Sequence, residues 1–169
     1  MSSRILCVAA LALLLGGCAT SVSAPTAVQP LTTEQLAALH VSTITADADK
    51  GVDMSDGDFG LITQKVRTYI QTSAPTMLVD PGTAQALAIK IHFTRFDRGN
   101  AFARAMLIGL GQIHIDATVY LVDTSGATVA QYEVSKDFAL GGLAGATTSV
   151  DDVEDGFAKS VAAVVVPKI

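Results

Sequence analysis

Apolar and polar positions along this chain follow two different periods, and the switches between them outline its elements. From Leu87 to Phe93 the period is two: Leu87, Ile89, Ile91 and Phe93 share one face, and Ala88, Lys90 and His92 the other, which predicts a half-buried strand. Gln112 to Asp123 repeats the alternation with Ile113, Ile115, Ala117, Val119 and Leu121 inward. Thr124-Ser125-Gly126 then predicts a turn in which Gly126 takes positive φ, with a returning strand over Thr128 to Phe138. Between Asp56 and Ser73 the period is helical: Phe59, Ile62, Val66, Tyr69 and Ile70 form a stripe, Lys65, Arg67 and Gln71 lie elsewhere, and Pro75 stops the helix. A last helix opens on the capping pair Ser149 and Asp152, carries Asp151, Glu154 and Asp155 in its first turns, and buries Val150, Val153, Phe157, Val161 and Val164. Val41 to Ala46 reads as a first strand, and Thr32 with Gln35 caps a short helix ending near His40. The order β-α-β-β-β-α predicts an α+β two-layer sandwich: a mixed or antiparallel sheet of about four strands with two helices on one face. There are no internal repeats.

The N-terminus departs from both periods. Arg4 precedes an unbroken apolar run, Ile5 to Leu15, which is too short for the roughly 20 residues of a membrane-spanning helix and so reads as a signal peptide. The run closes on Leu15-Gly16-Gly17-Cys18, which resembles the lipobox of bacterial lipoproteins. That resemblance implies removal of residues 1–17, acylation of Cys18, and attachment to a membrane through the acyl chains. Two chains already hold a protein stably, at about 0.8 kcal/mol for each buried methylene. Ala19 follows the cysteine where an aspartate would direct retention, so by the sorting rule of Gram-negative lipoproteins the expected location is the outer membrane, periplasmic face. Ala19 to Pro30 is small, polar and proline-punctuated, as a flexible or extended tether would be. The expected organisation is therefore a signal peptide over 1–17, an acylated cysteine with tether and short helix over 18–40, and one periplasmic domain over 41–166.

Composition narrows the function classes. Removing the signal drops one basic residue, Arg4, from a chain of net charge −5, leaving about −6, which disfavours nucleic acid and anionic lipid headgroups as partners. Both cysteines, Cys7 and Cys18, fall in the targeting segment, so no disulfide is available and the core alone must hold the domain. With no Trp, 3 Tyr and 6 Phe, that core is mostly aliphatic.

Several features together resemble a family of bacterial lipoproteins assigned only as a domain of unknown function. They are a strand ending in Phe96, then Arg98-Gly99, Arg104 and Gly109-Leu110-Gly111, and an alternating strand ending Leu121-Val122-Asp123 before Gly126. The resemblance spans most of 41–166 and implies the fold and the envelope location; it implies no activity.

Two glycine-rich apolar segments break the amphipathic logic, Gly99 to Gly111 and Ala139 to Ala146, and the topology puts both at one end of the sheet. Phe102, Met106, Leu107, Ile108, Leu110, Leu140 and Leu143 either share an exposed patch that binds a partner or membrane, or fold over the open end of the core. Neither segment has the lysine of a phosphate loop or the third glycine of a dinucleotide fingerprint. Arg95, Arg98 and Arg104 crowd the first segment; they can meet acids on a partner, although pairing with Asp97 and the domain's own carboxylates is the commoner use of such residues. The candidate partner-binding set is Arg98, Phe102, Arg104, Leu107, Ile108, Leu140 and Leu143.

A chain reversal around Ala103 would set His92 opposite His114 and Lys90 opposite Asp116, so that His92, His114 and Asp116 become candidate zinc ligands if that register holds. The acids at Asp47, Asp53, Asp56 and Asp58 lack the spacing of a calcium loop. No thiol remains besides the anchor, and there is no G-x-S-x-G or H-E-x-x-H motif. The expectation is a non-enzymatic membrane-anchored lipoprotein without cofactor, a protein-interaction or envelope-assembly module that binds a partner or itself. A small-molecule or metal-binding domain is the alternative.

Overall fold

A computed structural model describes residues 24–106, 111–138 and 149–166, with the side chains of 104–106 excepted. Strands β1 (Thr26–Gln29), β2 (Val41–Ala48), β3 (Leu87–Asp97), β4 (Ile113–Val122) and β5 (Thr128–Phe138) form one sheet in the order β1-β5-β4-β3-β2. The helices are α1 (Thr33–Ala37), α2 (Asp56–Ser73), α3 (Ala101–Met106) and α4 (Val150–Ala162), with a 3-10 turn at Pro75–Met77. The α+β class and the two helices packed on one face are as the hydrophobic pattern predicts. The sheet has a fifth strand: Thr26–Gln29, inside the segment read as tether, pairs antiparallel with β5.

β2 and β3 are parallel, and α2 makes the crossover between them; β3, β4 and β5 are antiparallel neighbours. Ile113, Ile115, Ala117, Val119 and Leu121 all point into the core, while His114, Asp116, Thr118 and Tyr120 between them stay half-buried on the open face. α2 lays Ile62, Val66 and Ile70 on that core, and α4 lays Val153, Phe157, Ala158 and Val161 beside them. Phe93 sits at the aromatic centre, its ring 5.4 Å from Phe157, 6.1 Å from Phe59 and 6.4 Å from Phe96.

Helix starts are set locally. Thr32 with Gln35, Ser55 with Asp58 and Ser149 with Asp152 each form a reciprocal capping box, a device whose loss costs about 1 kcal/mol. The Ser55 box, with Asp at N3 as in the Ser149 box, was not anticipated. The hairpin turn closes on Asp123, whose Oδ1 accepts from Ser125 N at 2.8 Å, Ser125 Oγ at 2.6 Å and Ala127 N at 3.0 Å. Gly126 there takes φ +90°, as expected.

The two long helices run parallel. Lys65 reaches Asp151 and Tyr69 reaches Asp155, so one turn along α2 is matched by one turn along α4. Tyr69 Oη donates to Asp155 Oδ2 at 2.5 Å, and burial together with that carboxylate pushes its pKa to about 12. One charge points inward from the sheet: Lys136 on β5 is buried, its stem running beneath Gly156 of α4. A Cβ at Gly156 would stand 2.9 Å from Lys136 Cε, so a larger residue there would make the end of the lysine side chain shift. Desolvation lowers the Lys136 pKa from the usual lysine value, and Asp137 opposes the shift.

Candidate partner-binding end

The C-terminal ends of β2, β3 and β5 and the N-terminal ends of α2 and α4 lie at the same end of the sandwich, because each long helix runs back against the strand before it. The connection from β3 to β4 leaves and returns there: Asn100 N donates to Gly111 O at 3.1 Å, closing the loop at its neck. Gly99 and Gly111 take φ of +62° and +71° at the two sides of this neck, a region that other residues enter at a cost of about 1–2 kcal/mol. Asp97 Oδ1 accepts from Gly99 N at 3.0 Å and Asn100 Oδ1 from Ala103 N at 3.0 Å, so the polar side chains of the neck start α3.

On α3, Phe102 stands 73% exposed, the most exposed of the large apolar side chains among the described residues. Burying a phenyl ring is worth about 1.5–3 kcal/mol, which Phe102 forgoes in this exposed position. Arg104 lies on the same helix, its side chain outside the described residues. Leu107, Ile108, Leu140 and Leu143 also fall outside them.

Arg98 is committed within the domain. Its guanidinium donates to Asp53 O at 2.8 Å and Asp58 Oδ2 at 2.9 Å, and lies 4.7 Å from the centroid of the Phe96 ring. Asp58 is the capping acid of α2, so one arginine ties the end of β3 to the start of that helix. The backbone hydrogen bond from Ser55 is the main cause that keeps the Asp58 carboxyl below its usual range; the Ser55 hydroxyl and Arg98 add to it against a desolvation effect. Arg95 pairs with Asp97 at 3.6 Å. Both arginines thus meet the domain's own acids, the commoner use anticipated for them.

The histidine register differs from the sequence expectation. His92 stands opposite Thr118 and Lys90 opposite Tyr120; His114 faces Asp97 and Asp116 faces Arg95. The reversal is centred beyond Ala103 because α3 fills the connection, and a bulge between Phe93 and Arg95 adds a further step. His92 and His114 are therefore separated by four residues along β4, about 13 Å, and do not share a metal site. Among the described residues, no group of three His, Cys, Asp or Glu side chains could hold a metal ion.

Each histidine has acid neighbours instead. His114 Nδ1 lies 2.7 Å from Asp137 Oδ1. His92 Nδ1 lies 2.6 Å from Asp47 Oδ1 and Nε2 lies 3.1 Å from Asp49 Oδ1, an arrangement that calls for a proton on each nitrogen. The Asp47 hydrogen bond is the largest cause raising the His92 pKa above 6.5; partial burial pulls the other way and Asp49 adds to the rise. A raised folded-state pKa stabilises the fold fully below the unfolded value of about 6.5, and that contribution is lost as pH rises through the folded value. The stability of the parent is expected to fall more than that of Asp47→Asn between about pH 6 and pH 9, by roughly 1 kcal/mol or less for so exposed a pair. Parallel melting curves of the two proteins across that range check it.

Two clefts lie away from the α3 end. One of about 510 Å³ is lined by Arg67, Gln71, Pro75, Leu78, Val79, Asp80 and Thr83 at the C-terminal end of α2. The other, of about 400 Å³, follows α2 past Leu61, Lys65 and Tyr69 to Asp155.

The architecture is shared with solved structures. A PelC variant from Paraburkholderia phytofirmans, a dodecamer, aligns at 12% identity over 75% of this chain and 85% of that chain, with a TM-score of 0.53. A second PelC dodecamer from the same organism aligns at 12% identity over 75% and 86%, with a TM-score of 0.47. A protein of Caulobacter crescentus CB15 named as a candidate lipoprotein aligns at 16% identity over 70% and 81%, with a TM-score of 0.39. At such identity the first likeness is one of fold. No curated protein shows significant sequence similarity to the chain. Residues 62–142, just under half of the chain and running from α2 past the end of β5, match the family described as a domain of unknown function, DUF4410.

Proposed function

We propose that this chain is a non-enzymatic lipoprotein of the cell envelope, anchored by acyl chains on Cys18 at the periplasmic face of the outer membrane, whose domain associates with itself or binds a partner protein, with the α3 end as the surface that meets the partner. The observation that carries the reading is Phe102, held 73% exposed on a helix whose start is fixed by Asn100 and the closed neck of its loop. The proposed surface also takes in Leu107, Ile108, Leu140 and Leu143, in the sequence segments that follow α3 and β5. The dodecameric PelC chain supports self-association, since it builds an assembly from a domain of this architecture.

The anchor fixes the domain at the membrane, the segment between Cys18 and β1 sets its reach, and the α3 end makes the contact. Several polar residues have structural partners that account for their placement: Arg98 holds α2, Asp58 and Asp152 cap helices, and His92 joins β2 to β3.

Phe102→Ser, alone and combined with Leu107→Ser, Ile108→Ser and Leu143→Ser, tests the contact. The expected outcome is a domain with an unchanged circular dichroism spectrum whose high-mass complexes on native gels of solubilised membranes fall in mass or abundance. Complexes unchanged in mass and abundance, with the variant folded, would sink the proposal.

A further inference from the structure

Among the described residues the sheet ends in two unequal edges, β1 and β2. Resting on the reading that this chain self-associates, we propose that copies join head to tail by β1 of one copy pairing antiparallel with β2 of the next, so that the sheet continues from copy to copy.

The directions fit. β1 is antiparallel to β5, β5 runs with β3 through the intervening β4, and β3 is parallel to β2; β1 therefore runs opposite to β2. A neighbour in the same orientation presents its β1 antiparallel to β2, the stronger form of pairing. The β2 edge is open for it. Asp49 N donates to Phe93 O, and by strand alternation Ile44, Ala46 and Ala48 turn their peptide groups away from β3. Among the described residues only the start of β2 is covered on that side, where Val79 N donates to Val41 O. β2 carries neither lysine nor proline, the usual guards of a solvent edge.

The side chains fit as well. Ile44, Ala46 and Ala48 are packed against the core yet only partly buried, as residues at an uncovered edge are. β1 is exposed along its whole length, and Val28, at its bulge, is 54% exposed. Pro25 and Pro30 limit β1 to a short strand, and it finds room on β2 beyond Val41. Both contacting surfaces are apolar or neutral except for Asp47, so no like charges oppose them. Such a contact joins two different surfaces and closes into a ring when the rotation between copies permits. With the axis running along the strands, every α3 end falls on the same rim, and Phe102 is repeated around it.

The test uses the full acylated chain in detergent micelles, with the parent protein as background. Val28→Cys is paired with Thr43→Cys, Thr45→Cys or Asp47→Cys, because the exact register decides which Cα atoms come within disulfide reach. Mixing the two single variants should give disulfide-linked dimers, the double variant should give a ladder, and each single variant alone should give neither. Ala46→Pro removes one outward N–H without touching the β2–β3 ladder and should abolish the oligomer while the circular dichroism spectrum is kept. Light scattering of the parent separates the two ways to fail. A monomer would overturn self-association and this contact with it; an oligomer that yields no mixed dimers, or dimers from Val28→Cys alone, would overturn the edge pairing only.

Discussion

Phe93→Ala is expected to destabilise the domain by about 3–5 kcal/mol, enough to leave a marginal fold largely unfolded at 37 °C. Phe93 is fully buried on β3 and meets aromatic rings from three directions: Phe59 on α2, Phe157 on α4 and Phe96 further along its own strand. The change removes the transfer free energy of a phenyl group and leaves a cavity between two layers that cannot close, because the sheet and both helices are each fixed elsewhere. In a chain without disulfides in the described domain, no cross-link offsets the loss. Urea unfolding checks it: the midpoint should fall sharply while the slope stays the same, and a loss below about 1 kcal/mol would contradict this packing. Phe93→Leu, which keeps most of the volume, should cost far less.

Lys65→Met is expected to be the most damaging charge substitution, at about 2–4 kcal/mol, and Glu154→Gln should recover most of that loss. Lys65 Nζ binds Asp151 Oδ1 at 2.6 Å and Asp151 O at 3.1 Å, and lies 3.8 Å from Glu154 Oε2. The Glu154 side chain is only 6% exposed. Burial raises its pKa, Lys65 opposes the rise, and the neighbouring acids Asp151 and Asp58 add to it. Removing the lysine leaves a desolvated carboxylate among acids between two helices. A carboxyl whose folded pKa is raised stabilises the fold below its unfolded value of about 4.5, and that contribution is lost as pH rises through the folded value. The Lys65→Met penalty should therefore shrink toward acid pH. A double-mutant cycle from denaturant melts measures the coupling; additive single and double effects would show that Lys65 does not compensate Glu154.

Those two sites show what the sequence could reveal. The stripes of α2 and α4 and the alternation of β3 and β4 were legible because burial on one face imposes a period, and Phe93 and Phe157 fell on the right faces. β1 was not: four residues between two prolines give too little alternation to be told from a tether. The β3–β4 register was also hidden. A tight turn fixes its own register, as Asp123 to Ala127 does, but a connection holding a helix does not, and the bulge after Phe93 left no mark in the hydrophobic pattern. The partners of His92 come from a parallel strand 45 and 43 residues earlier, where only the alternation of Asp47 and Asp49 hinted at a shared face. At the α3 end, the sequence identified an apolar segment held between glycines, and the structure adds that Phe102 faces water and that Arg98 is bound within the domain.

The measurement that bears most directly on the proposed function is photo-crosslinking in cells from a benzoylphenylalanine placed at Phe102, with the same probe at Arg67, at the far end of α2, as the control. Adducts of discrete mass from position 102, absent from position 67 and absent when Leu107, Ile108 and Leu143 are made polar, are the result expected of a contact surface at this end. No adduct from position 102, or equal adducts from both positions in folded protein, would contradict it.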